Sequence, residues 1–446
     1  MTRYTARTLP THLGPAAWNA ILPPQDAPRR LEGDATADVA VVGAGFAGLS
    51  AARRLTQLMP GARIAVLDAG RVAEGAAGRN SGFMIDLPHE LTSQDYAGDG
   101  DDRTMIALNR TAQAFGRAAV EEYGISPAFF DPAGKINGAA SEAAHAHNES
   151  YARHLADLDE TSEMLDAQAM RDLTGSPHYR SGLYTPGTVM LQPAGYVRGL
   201  AAGLTRAGVT IHEQSPVTSF VRQGGGWRIT TPQGRLSAGK VILTVNGHLE
   251  SFGIASGRLM QIFLFATMTP DIDTDTLARL GGRNRWGITP SDPMGTTMRR
   301  IDEPQGGNRI VTRTCAVLRP GMRATNADLT RAFRVMQRKF DQRFPQLAGI
   351  RMEYTWAGHL CLSLNGVAVM REIEQGLYAG CVQNGLGTAR GTLTGIGAAE
   401  LASGKTTAIT RHFTAEAEPK RLPPQPFREI GANAVLRFRE WRAREE

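Results

Sequence analysis

The chain has 446 residues, 42% hydrophobic and 21% charged, an ordinary globular balance in a chain too long for one simple core. Its 49 basic and 43 acidic side chains leave a net charge of +6 with no Lys/Arg tract interleaved with stacking aromatics, so no nucleic-acid partner is expected. Cys315, Cys361 and Cys381 stand far apart without CxxC or Cys/His spacing, which points away from a metal site and from a disulfide framework.

In chain order, residues 1–37 are rich in proline and polar groups and are expected to form an irregular lead-in without the apolar core of a signal peptide. Residues 39–42 are a short apolar run suited to a strand buried on both faces. A helical pattern runs from Ala47 to about Met59 and closes at Pro60-Gly61. Residues 63–67 read as a second buried strand, so the three form a βαβ unit with parallel, adjacent strands. Helices are expected over 102–123, 141–160 and 193–206, and a strand over 209–212. Alternating strands follow at 217–221, 227–231 and 240–244, with turns at Gly224-Gly225-Gly226 and Gln233-Gly234. Further strands are expected at 258–269 and 309–318, a helix near 326–342, a strand at 377–380 and a glycine-rich helix ending at Ser403.

Residues 428–446 place Ile430, Val435, Phe438 and Trp441 at roughly helical spacing among Arg437, Arg439 and Arg442. This helix is expected to dock on its own domain, with an interfacial membrane helix as the other reading. No apolar run approaches the ~20 residues that span a bilayer. The expected setting is therefore cytoplasmic, without membrane association.

The loop between the first strand and helix reads Gly43-Ala-Gly45-Phe46-Ala47-Gly48, a G-x-G-x-x-G pattern in its required context. Gly43 permits the turn, Gly45 leaves room for a pyrophosphate, and Gly48 lets helix and strand pack closely. The helix N-terminus offers unpaired N–H groups to phosphates. Asp68 ends the second strand, placed to accept hydrogen bonds from a ribose hydroxyl and to repel a 2′-phosphate. These residues define a dinucleotide site.

After Asp68 come Ala69-Gly70-Arg71 and then Gly78-Arg79-Asn80-Ser81-Gly82, where a simple NAD domain would continue into another helix and strand. Here the chain resembles the FAD-dependent amine and amino-acid oxidoreductases of the D-amino-acid oxidase family. The resemblance places the Gly78–Gly82 segment beside the isoalloxazine ring and Val217 against adenine. It places the motif containing Asn246 and Gly247 close to the FAD core. Further on, Asn384-Gly385-Leu386-Gly387-Thr388 and the following helix would meet flavin N1 and O2, where a helix N-terminus stabilises negative charge. Two departures stand out: Leu386 replaces a histidine common in the family, and Trp356-Ala-Gly358 is followed by Asn365-Gly-Val-Ala368, lacking the usual acid and proline.

The resemblance implies a mixed α/β fold: a Rossmann-like FAD-binding domain built from residues 1–94, 191–257 and 351–425. A second, antiparallel-sheet substrate domain would comprise 95–190 and 258–350, and a C-terminal helix 426–446. It implies oxidation of the C–N bond of a small amine or amino acid by hydride transfer to flavin N5, giving an imine that hydrolyses. A hydroxy-acid dehydrogenase and an FAD-binding non-catalytic subunit remain as alternatives. Arg79, Trp356 and His359 are the candidate catalytic residues; Phe263, Phe265, Trp286 and Tyr354 are candidate pocket aromatics. Arg351 and Arg371 are candidates to hold a substrate carboxylate. Lysine occurs only at 135, 240, 339, 405 and 420, outside the flavin motifs. Oxidases of the resembled family that react rapidly with oxygen often carry a lysine near the flavin, so the resemblance implies a quinone or carrier as electron acceptor, with oxygen as the alternative.

Overall fold

A computed structural model describes residues 2–88 and 101–446; the domain boundary expected near residue 94 lies outside them. The strand Gly33–Val42 explains the apolar run at 39–42, because both of its faces are covered. Val39 and Val41 point into one hydrophobic cluster, and Ala40 and Val42 into another on the opposite face. The strand begins earlier than expected because residues 33–38 pair along the neighbouring strand Gly234–Leu243.

Five parallel strands make the centre of the first sheet. Their order is Thr210–His212, Ile64–Leu67, Gly33–Val42, Gly234–Leu243 and Leu377–Cys381. The first half of Gly234–Leu243 also carries an antiparallel meander through Gly226–Thr230, Ser219–Gln223 and Arg3–Thr5. Helices Phe46–Leu58, Pro193–Arg206 and Ala389–Ala402 cover one face, with Leu49, Leu200 and Leu393 in a shared core. This is a doubly covered, Rossmann-like arrangement in which ligands bind at the carboxyl ends of the strands.

The second sheet has eight strands, of which Tyr354–Ser363, Leu259–Met268, Arg309–Leu318 and Thr297–Ile301 are consecutive neighbours. Its pairings are antiparallel except between Lys135–Ala139 and Trp286–Pro290. Tyr354–Ser363 thus joins this sheet, although it falls in the 351–425 stretch expected of the nucleotide half. Conversely, helix Asp102–Tyr123 buries Leu108, Ala112 and Ala119 in the nucleotide-side core.

The lead-in is not an irregular appendage. Arg3–Thr5 extends the first sheet, and the short helix Ala17–Ala20 buries Trp18, whose indole N–H donates to the Asn80 carbonyl at 2.8 Å. Gly14, at φ +73°, lies so close to Thr355 that a Cβ would fall 2.1 Å from its carbonyl oxygen. The segment therefore threads between the two sheets. Among the described residues, no helix is long and apolar enough to cross a membrane.

Candidate active site

The carboxyl ends of the first sheet and the inner wall of the second enclose one long cleft. At one end, Gly43, Gly45, Phe46 and Ala47 line it. Gly43 turns at φ +108°, and Thr244 Oγ1 pins the turn by donating to the Val42 and Gly43 carbonyls at 2.8 and 3.1 Å. Gly48 lies behind this wall: a Cβ there would sit 1.7 Å from the Gly43 oxygen, so its role is close packing.

Asp68, Ala69 and Arg71 line the adjoining stretch. One Asp68 oxygen accepts from Ala44 N–H at 2.7 Å and the other from Gly70 N–H at 2.9 Å. Burial raises its pKa, an effect those two donors oppose. The carboxylate thus holds the glycine turn as well as facing the cleft. Arg71 is turned to the Asp26 carbonyl and toward Glu213.

Helices Phe46–Leu58 and Ala389–Ala402 start side by side, and neither has a side-chain N-cap. A Cβ on Gly395 would fall 2.0 Å from the Ala47 oxygen, so this glycine sets how near the helices come. Gly385, Leu386, Gly387 and Thr388 line the cleft before the second helix. Thr388 Oγ1 donates to the Phe83 carbonyl at 2.7 Å, joining this loop to the Arg79 segment 305 residues away. Asn384 instead turns into its own loop, accepting from Ser363 N–H and donating to the Gly366 and Val367 carbonyls.

Arg79, Asn80, Ser81 and Gly82 all line the cleft. Asn80 stabilises its own turn, accepting from Gly82 N–H at 2.7 Å. The Arg79 guanidinium is taken up by four backbone carbonyls, those of Glu74, Leu13, Gly14 and Ala357, at 2.6–3.2 Å. Burial lowers its pKa to about 10. It braces the lead-in against strand Tyr354–Ser363 and presents no obvious free donor fork. Trp356 is fully buried, and its indole N–H donates to the Arg79 carbonyl at 3.0 Å. Gly78 packs against Ala73, where a Cβ would lie 1.8 Å from the carbonyl oxygen.

Val217 and Asn246 line the cleft, with Val217 just ahead of strand Ser219–Gln223. Asn246 has φ +47°, and its buried Oδ1 has no partner among the described residues. Gly247 lies behind the wall and makes room for Gln261 and His359, which a Cβ would meet at 2.3 and 2.9 Å.

His359 lines the cleft, stacked on Phe263 with centroids 4.9 Å apart. His12 and His248, which sequence reasoning missed, line it too. Burial, then repulsion from His248 and His12, lowers the His359 pKa to about 3. Burial lowers His12 and His248 to about 4. These rings are neutral at physiological pH, and among the described residues no group is arranged to hold a metal ion.

The second sheet supplies the remaining wall. Pairing sets Thr297 opposite Arg313 and Arg313 opposite Ala266, and all three line the cleft with Phe265, Ile85 and Thr289. Arg313 was not singled out from sequence; its only signal was its place in the 309–318 strand. Arg351 is exposed, and Arg371 lies 3.5 Å from Glu418, so neither reaches the cleft. Trp286 is buried against Phe344 on the far face of the sheet. Behind Thr289, buried Lys135 is held by Asn137 and lies 3.4 Å from Thr289 Oγ1. Cys361 reaches the cleft, but burial raises its thiol pKa well above the usual range.

A glycine turn on a parallel sheet, two uncapped helix N-termini and an orphaned buried amide oxygen on one cleft fit a dinucleotide cofactor. The protein is a nucleotide-cofactor oxidoreductase by fold and site. Residues 38–401 match the family model described as FAD dependent oxidoreductase, so the chain belongs to that family, the D-amino-acid oxidase type, and FAD is its cofactor. It is 24% identical over 416 residues to a probable oxidoreductase, OrdL, of Rhizobium meliloti, covering 90% of this chain and 91% of that protein. It is 24% identical to gamma-glutamylputrescine oxidoreductase of Escherichia coli, with 88% of each covered. The fold is also that of glycine oxidase from Geobacillus kaustophilus, with a TM-score of 0.70 at 17% identity over 87% of this chain and all of that one.

Proposed function

We propose that this enzyme oxidises the C–N bond of a small amine that also carries a carboxylate, such as an amino acid. The observation that carries this reading is Arg313 on the cleft wall, beside Phe265, Ala266, Ile85, Thr289 and Thr297 among the described residues. A planar fork of donors in such surroundings suits a carboxylate. Asp68 is the one acid among the described residues lining the cleft, and it belongs to the nucleotide end. Among the described residues, the substrate end therefore offers no carboxylate to hold an ammonium. Nearby positive charge and burial both favour the neutral amine, the form whose lone pair assists loss of hydride.

Bound FAD supplies the hydride acceptor, at flavin N5; the substrate's product is an imine that water hydrolyses to a carbonyl compound. In this proposal Gly43, Gly45, Phe46 and Ala47 receive the pyrophosphate, Asp68 the ribose, and Val217 the adenine. The loops at Arg79–Gly82 and Gly385–Thr388 flank the ring system. Arg313 orients the substrate, while neutral His359 and the apolar wall exclude water and charge. Glycine oxidase and gamma-glutamylputrescine oxidoreductase are named for an amino acid and an amine, which supports the same substrate class.

Arg313→Gln tests the orienting role. It should raise KM for carboxylate-bearing amines about 10- to 100-fold, the loss of one charge-assisted pair, and leave FAD content unchanged. Unaltered KM for every such substrate would remove Arg313 from the site.

A further inference from the structure

The C-terminal helix Phe427–Arg442 has two unlike faces. Its inner face closes an open sheet edge. Strand Thr297–Ile301 pairs with Arg309–Leu318 only as far as Arg313, leaving Ala316 and Leu318 without a strand on that side. Glu440 accepts from Ala316 N–H at 2.8 Å and Asn433 from Leu318 N–H at 2.9 Å, while Ala432 and Leu436 pack on Ile262 and Leu318. To this extent the helix docks on its own chain.

The outer face is different. Phe427, Ile430, Val435, Phe438 and Trp441 are 52–72% exposed, and they are five of the seven large hydrophobic side chains exposed among the described residues. Positions 427, 430, 438 and 441, with exposed Ala434 between them, recur at three- and four-residue intervals and form one stripe along the helix, with Val435 at its edge. Arg439 and Arg442 are exposed beside it. The acids of the helix point the other way: Glu429 lies 3.2 Å from Arg319, and Glu440 lies 2.9 Å from Arg331. The outer face is thus aromatic and cationic with no helix acid to balance it.

We infer that this face docks on an anionic bilayer surface, with the helix lying in the interfacial plane. Aromatic and aliphatic side chains enter the headgroup boundary while flanking arginines meet lipid phosphates. Charge decides against a second copy of the chain as occupant, since stripe-to-stripe pairing would gather arginines from both copies with no helix acid to answer them. Leu264 and Leu360 pack in the cluster under Ala432 and Leu436 and also line the cleft. Docking would bring that wall of the cleft close to the membrane.

Flotation of the FAD-loaded full chain tests this with vesicles of phosphatidylcholine alone or mixed with phosphatidylglycerol. The wild type should float with the mixed vesicles and remain largely unbound to the neutral ones. Phe438→Glu with Trp441→Glu should abolish flotation while preserving flavin absorbance and turnover. Arg439→Ala with Arg442→Ala should weaken partitioning about thirtyfold, roughly fivefold for each charge. Failure of the wild type to float, or equal flotation by the Glu variant, would overturn the inference. So would light scattering showing a stable wild-type dimer that the Glu variant splits.

Discussion

The Gln261 side-chain oxygen accepts a hydrogen bond from His359 Nε2–H at 2.8 Å. The amide orientation follows from its nitrogen, which donates to the Gly247 carbonyl at 3.1 Å and to Glu250 at 2.8 Å. Gln261 therefore presents an acceptor, His359 must carry its proton on Nε2, and Nδ1 keeps its lone pair. With a pKa near 3, the ring stays neutral across the working pH range.

This neutrality has a consequence for stability. His12, His248 and His359 bind protons less readily in the fold than at the ordinary value of 6.5, so the unfolded chain protonates first as pH falls. Their contribution is complete above pH 6.5 and is lost as pH drops toward about 4 and then about 3. Thermal unfolding between pH 8 and pH 5 should show a falling midpoint, with a shallower slope in His359→Asn. Identical slopes in the two proteins would contradict the assignment.

Asp68 holds the glycine turn and is the proposed ribose acceptor, and its removal should expose both roles. Asp68→Ala frees the Ala44 and Gly70 N–H groups and removes the proposed ribose acceptor. FAD should be held about 10- to 100-fold more weakly, by loss of charge-assisted hydrogen bonds. Flavin retention after dilution and gel filtration measures this. Full occupancy would show that the carboxylate serves the turn without serving the cofactor.

Arg79 should behave as a brace. Arg79→Ala removes the hydrogen bonds to the carbonyls of Leu13, Gly14, Glu74 and Ala357 at the junction of lead-in, loop and strand, leaving Leu13 with the Ala357 N–H. A stability loss of about 3 kcal/mol is expected, with Arg79→Lys recovering only part because an ammonium cannot reach all four carbonyls. Chemical denaturation provides the comparison. A variant of unchanged stability but greatly slowed flavin reduction would return Arg79 to direct catalysis.

These two residues also show what could be read from sequence. The Gly43 turn and Asp68 were legible because strand, turn and helix are contiguous, and Gly48 answers to a clash with the Gly43 carbonyl oxygen within the motif. The Arg79 segment, singled out by resemblance, lines the same cleft. The direction of its guanidinium was not legible, because acceptors come from residues 13, 14 and 357. Arg313, His12 and His248 escaped notice for the same reason. Sheet register brings Arg313 beside Thr297 and Ala266, and the threading of the lead-in brings His12 to the histidine cluster. Trp356 was a catalytic candidate by its motif, whereas its ring is buried and its N–H bonded to the Arg79 carbonyl.

The electron acceptor is addressed by the lysines. Lys135 is the one held next to a cleft residue, and it is buried behind Thr289 with its pKa lowered by burial to about 8. No lysine lines the cleft among the described residues. Reoxidation by a soluble quinone should therefore outpace reoxidation by dissolved oxygen in stopped-flow mixing. Rapid, stoichiometric peroxide formation in air would reverse that order.

The central claim is oxidation of a C–N bond in a carboxylate-bearing amine, and anaerobic flavin reduction tests it most directly. The FAD-loaded protein is mixed with matched panels of amino acids, N-alkyl amino acids, simple amines and hydroxy acids while the visible flavin band is followed. An amine bearing a carboxylate should bleach the band fastest, and Arg313→Gln should slow that substrate selectively. Bleaching by a hydroxy acid while every amine leaves the flavin oxidised would contradict the claim.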